Sequence, residues 1–138
     1  MFRQLCGFSL SLLLTVFATG CGSGVPSDRP DLATVTGTVT LDGQPLEGAD
    51  VTFQPESARP SVGTTDSSGK YELIYLNDVK GAVVGPNRVM ITTRRDGADD
   101  DPSSNVPERL PKKYHAESTL SADVEAGSNV FDFDLTSE

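Results

Sequence analysis

His115 is the one imidazole in a chain of 138 residues. It follows Lys112, Lys113 and Tyr114, and it is the only side chain whose unperturbed pKa lies near neutrality. A general base at that place needs a serine or cysteine nucleophile in a supporting context. The sequence offers none, so an exposed loop histidine is preferred over the remote alternative, a small hydrolase using His115. A second constellation is acidic. Asp96, Asp99, Asp100 and Asp101 supply the hard oxygen ligands that Ca²⁺ takes. Their spacing fits no EF-hand loop, because Gly97 falls too early and no glutamate stands at the twelfth position, so a solvated acidic loop is expected. Tyr71, Tyr75 and Tyr114 with Phe53 would make a sugar-stacking platform, the basis of an alternative reading as a glycan-binding module. Tryptophan is absent, however, and the alternation of the chain directs Tyr71 and Phe53 inward.

Charge and composition narrow the classes further. Eleven Lys and Arg against 20 Asp and Glu give a formal net charge of -9. Nucleic-acid binding needs clustered cations, and Lys112-Lys113 is too small a cluster. One His and two Cys leave too few ligands for a Cys/His zinc site and exclude a framework of several disulfides. Asp42-Gly43 and Asp66-Ser67-Ser68-Gly69 open no helix, so they read as turns rather than phosphate loops. No catalytic residue, cofactor or metal ligand is assigned.

The N-terminus reads as an address. One positive charge at Arg3 precedes an uncharged, apolar run from Leu5 to Ala18, shorter than the roughly 20 residues of a spanning helix. Gly20, Gly22 and Gly24 interrupt any continuation. Residues 1–20 are therefore expected to be a signal peptide. Ala18-Thr19-Gly20-Cys21 resembles the bacterial lipobox, in which cleavage precedes a cysteine that receives diacylglycerol; Ala18 stands where leucine is usual. Cys6 is lost with the signal, so Cys21 has no disulfide partner, and a lipid thioether removes a thiol that is a liability in an oxidising compartment. Cys21 is thus the expected lipidation site and the membrane anchor of a 118-residue mature chain. Gly22 after it, rather than aspartate, implies the outer membrane. Residues 21–33 then read as the lipidated cysteine and a flexible linker rich in Gly, Pro, Ser and Asp.

The remainder alternates with period 2. Val35, Gly37, Val39 and Leu41 alternate with threonines, and Ala49, Val51 and Phe53 alternate with polar residues until Pro55. Val62 to Thr65 gives a short strand, and Lys70 to Leu76 another with Tyr71 and Leu73 on one face. Asn87 to Arg94 places Val89 and Ile91 inward. Leu120, Ala122 and Val124, then Phe131, Phe133 and Leu135, complete the set. Leu46 re-enters the core after the Asp42-Gly43 hairpin. Arg95 to Pro111 breaks the rhythm as a long acidic, proline-containing loop. With no helix in the pattern, an antiparallel sandwich follows.

Several phrases carry a resemblance. They are Val35 to Pro55, Thr65 to Leu73, Gly85-Pro86-Asn87-Arg88-Val89, Leu110 to Tyr114, and Gly127 to Phe133. Together the chain resembles small lipoproteins of planctomycete-type bacteria with a carboxypeptidase-regulatory-like domain, over residues 34–136. That resemblance implies an all-β, seven-stranded transthyretin-like (prealbumin-like) antiparallel sandwich at residues 34–138, used as an appended module without catalysis. Enzymes with related sandwiches need more than this chain has. Hydroxyisourate hydrolases use more than one His and a Tyr-Arg-Gly-Ser tail, and intradiol dioxygenases hold iron with two Tyr and two His. The phrases are scaffold positions, with Gly37 expected where a close neighbour leaves little room. The expected function is a lipid-anchored, extracytoplasmic module of the cell envelope with a structural or protein-binding role. Another envelope protein adding a strand to a sheet edge is the partner mode that suits it.

Overall fold

The computed structural model describes residues 29–97 and 99–138. The signal peptide, Cys21 and the linker as far as residue 28 lie outside them. Among the described residues the chain is all strand and turn, with two short 3-10 turns at Pro102–Ser104 and Lys112–Tyr114 and no α-helix. Two sheets face each other as a sandwich.

The spine of the first sheet is β1 (Leu32–Leu41), whose alternation buries Ala33, Val35, Gly37 and Val39 on one face. It begins two residues before the expected domain start at residue 34, because Leu32 and Ala33 pair with Val83 and Ala82. Asp42 and Gly43 both take positive φ, the geometry of a two-residue hairpin, and return the chain as β2 (Gln44–Pro45). The second sheet takes β3 (Asp50–Pro55) and β4 (Ser61–Thr64), paired antiparallel.

From Lys70 to Leu76 the single expected strand is two. β5 (Lys70–Glu72) pairs with β1, while β6 (Ile74–Leu76) pairs with β4. Leu73 is the crossing point: its N–H donates to Val35 O at 3.0 Å and its side chain is fully buried between the sheets. Next come β7 (Val79–Lys80) and β8 (Ala82–Val83), for which the alternation gave no signal. The hairpin from β6 into β7 turns on Asn77 and Asp78, both at positive φ. β9 (Gly85–Thr92) and β10 (Ser121–Val124) extend the second sheet, giving the order β10-β9-β3-β4-β6-β7.

The C-terminal strand also divides, into β11 (Ser128–Val130) and β12 (Phe133–Leu135). Both run parallel to β1, on the side opposite β5, so the first sheet is mixed rather than wholly antiparallel. The break falls at Phe131-Asp132. There Phe131 O accepts from the Tyr71 hydroxyl at 2.6 Å, and Asp132 Oδ1 takes the Thr38 N–H at 2.9 Å in place of a strand carbonyl.

The core holds Val35, Val39, Leu46, Val51, Phe53, Tyr71, Leu73, Val89, Ile91, Val124 and Leu135, all expected inward. Leu41, Leu120, Phe131 and Phe133, also expected inward, pack against it half-buried. Ala82, Leu110 and Asn87 join without having been expected. The Asn87 amide donates to Val83 O and Gly85 O, both at 2.9 Å, and fixes the corner between β8 and β9.

Candidate functional site

The densest polar cluster surrounds Glu108, a residue that the sequence reading passed over. β9 delivers Thr92 at its end, with Thr93 following, and the chain returns from the acidic loop at Glu108. One carboxylate oxygen accepts from Thr93 N–H (3.0 Å), Thr93 Oγ1 (2.8 Å), Arg109 N–H (3.1 Å) and Leu110 N–H (3.0 Å). The other accepts from Thr92 Oγ1. Burial by itself pushes this carboxyl up, but the donors from Thr92, Thr93 and Leu110 outweigh it and bring the pKa down to about 2.

His115 lies beside this group. Its Nε2 is 3.1 Å from Leu110 O and 3.9 Å from Glu108 Oε2, with side chains 22% and 20% exposed. A carbonyl only accepts, so Nε2 carries the proton and the histidine is half-buried rather than the exposed loop residue expected. The hydroxyls nearby are committed. Thr92 and Thr93 donate to Glu108, and Ser118 Oγ donates to Val89 O while accepting from Leu120 N–H. What the arrangement does is fasten both ends of the long loop to the end of β9. Glu108→Gln is accordingly expected to lower stability by up to about 3 kcal/mol near neutral pH. Above pH 4.5, the carboxyl's ordinary value, it is ionised folded and unfolded, and the full contribution holds. As pH falls, the unfolded chain protonates first, and the contribution is gone by about pH 2. Urea titrations of both proteins should therefore converge as pH drops through that window; a gap that stays constant contradicts the assignment.

The acidic loop is closed on itself. Arg95 and Val106 form an isolated antiparallel bridge, Asn105 Oδ1 accepts from Gly97 N–H at 2.6 Å, and Asp101 caps the first 3-10 turn through Ser103 N–H at 3.0 Å. Asp96 pairs with Arg94 at 3.1 Å on the surface. Among the described residues no three His, Cys, Asp or Glu gather as metal ligands. The tyrosines are dispersed as well. Tyr71 is core, its hydroxyl pushed up by burial and then by the Asp132 charge. Tyr114 meets Thr136 near the C-terminus and carries the Lys113 ammonium 5.2 Å from its ring centre, while Tyr75 lies on β6. They form no common platform.

An open groove of about 610 Å³ crosses the first sheet over β1. Thr36, Thr38, Lys70, Glu72, Val130 and Asp132 line it. Val130 is 70% exposed, on a strand that pairs only with β1 among the described residues.

No protein-family model and no curated protein matches the chain. Among solved structures it is similar to a DUF3823 family protein from Parabacteroides merdae, with a TM-score of 0.44 and 16% identity over 77% of this chain and 46% of that one. It is also similar to a 9R-lipoxygenase from Cyanothece PCC8801, with a TM-score of 0.39 and 18% identity over 80% of this chain and 17% of that one. The chain thus spans about half the length of the first protein and under a fifth of the second. Its fold rests on its own strand pairing, an all-β sandwich of two sheets.

Proposed function

We propose that the protein is a lipid-anchored module of the cell envelope, held through Cys21, whose sandwich binds another envelope protein without catalysing a reaction. The carboxypeptidase-regulatory-like, transthyretin-like assignment belongs to the same reading. The observation that carries the binding role is the free edge of β11. A three-residue strand with one side unpaired among the described residues, an exposed Val130 and a groove alongside is a template for strand addition. The lipobox-like Ala18-Thr19-Gly20-Cys21 supports the anchor, and Gly22 supports the outer membrane.

Mass spectrometry of the mature N-terminus tests the anchor. The expected product begins at Cys21 and carries diacylglycerol; an unmodified Cys21, or cleavage elsewhere, overturns it. A photo-reactive residue at Ser128, exposed on the same strand, tests the edge in living cells. One discrete cross-linked protein, lost when Val130 is replaced by glutamate, is expected.

A further inference from the structure

Of four clefts in the surface of the described residues, three carry carboxylates: Asp66, Glu72 and Asp132 in the groove over β1, Glu56 beside β9 and β10, and Asp96 with Glu108 at the acidic loop. The fourth, about 460 Å³, is different. It is lined by Arg29, Pro30, Ser57, Ala58, Arg59, Tyr75 and Val83, with two guanidinium groups and no acid. In a chain of net charge -9 that is an inversion of the local sign.

Both arginines are uncommitted. Arg94, Arg95 and Lys80 are paired with Asp96, Asp50 and Glu72, whereas Arg29 and Arg59 have no partner among the described residues, nor does the Tyr75 hydroxyl. The segments that carry them are nevertheless fixed. Gln54 Nε2 donates to Pro55 O at 2.9 Å and to Ala58 O at 3.2 Å, which holds the loop bearing Ser57 and Arg59. On the other wall, Val84 N–H donates to Asp31 O at 2.9 Å and Leu32 pairs with Val83, which holds the chain just after Arg29. Two forked cations with a phenol and a serine hydroxyl offer many donors and no acceptor charge. That set matches an oxyanion with several equivalent oxygens.

We propose that this cleft binds a phosphoryl group, presented by an anionic lipid headgroup or as free phosphate. The lipid source rests on the anchored reading above; the phosphoryl site does not. Arg29 stands eight residues after Cys21, a length of chain that spans at most about 28 Å, so an anchored molecule brings this end of the sandwich within reach of the headgroups. The overall negative charge is screened beyond about 10 Å at 0.1 M salt, so the local pair of arginines decides the sign a bound anion meets.

The test uses the full chain carrying Cys21→Ser, which has no acyl group whether or not the wild type is lipidated; a negative result therefore speaks against the cleft and leaves the anchor to the mass measurement. Inorganic phosphate is titrated in one arm. In the other, the protein is floated with vesicles of phosphatidylcholine alone or mixed with phosphatidylglycerol. Arg29→Ala and Arg59→Ala are each expected to weaken binding about tenfold, and raised salt to weaken it in the unsubstituted protein. Arg94→Ala, which removes an exposed arginine elsewhere, is expected to leave it unchanged. Binding in the phosphatidylglycerol arm alone identifies a lipid headgroup, binding in the phosphate arm alone a free phosphate, and either supports the site if each of the two substitutions weakens it as expected. Binding of neither probe overturns the proposal. So does equal binding by the Arg29→Ala/Arg59→Ala protein, or equal weakening by Arg94→Ala.

Discussion

Gly37→Ala is expected to destabilise the protein by about 4 kcal/mol or more, a large part of the roughly 5–15 kcal/mol that holds a domain together. A methyl group at residue 37 would sit 1.8 Å from Phe131 O and 2.8 Å from the Tyr71 hydroxyl. The first neighbour is backbone, so no rotamer change relieves the contact. The Phe131 peptide has to move by more than an ångström, and three hydrogen bonds depend on it: Tyr71 Oη to Phe131 O, Phe131 N–H to Thr36 O, and Thr38 N–H to Asp132 Oδ1. Each contributes about 1 kcal/mol, and overpacking of this kind costs about 1–3 kcal/mol in addition. A urea midpoint for Gly37→Ala equal to that of the wild type would show that β11 and β12 are not seated on β1 as described.

Phe53→Ala is expected to cost about 3–5 kcal/mol. Phe53 is wholly buried in the middle of β3, which is paired on both sides, and its ring meets Phe131 at 5.7 Å and Phe133 at 6.3 Å between centroids. The strands around the lost ring are tied into the sheet, so the space collapses only in part and the cavity adds to the lost burial. The two substitutions share Phe131, since Gly37 seats its carbonyl and Phe53 packs its ring. Their effects should therefore not add, and the double variant should be more stable than the sum of the single losses predicts. Simple additivity in equilibrium denaturation would mean that the two faces of Phe131 act independently.

Much of this core is readable from the chain, because period 2 is a local property. Val35, Val39, Val51, Phe53, Val89 and Ile91 are inward in the sequence pattern and wholly buried in the structure. The Asp42-Gly43 hairpin is equally local, since positive φ belongs to those two residues themselves. Gly37 was legible as a place of close approach, although the neighbour was not. Glu108 was not legible at all. A glutamate between proline and arginine in a loop carries no periodic signal, and its five donors come from two segments about 15 residues apart.

What the sequence by itself determined is therefore the all-β character, the inward face of most strands and the turn positions, along with the expectation of a lipidated Cys21. Tertiary structure decided the rest. It set β1 between antiparallel β5 and parallel β11 and β12, sent the chain across the sandwich at Leu73, and joined His115 to Glu108. It also gathered Arg29, Arg59 and Tyr75 into one cleft from three separate segments. The physical reason is range. Alternation and turn chemistry are fixed by neighbours one to three residues away, whereas strand order and side-chain encounters follow from which buried faces fit together across the whole chain.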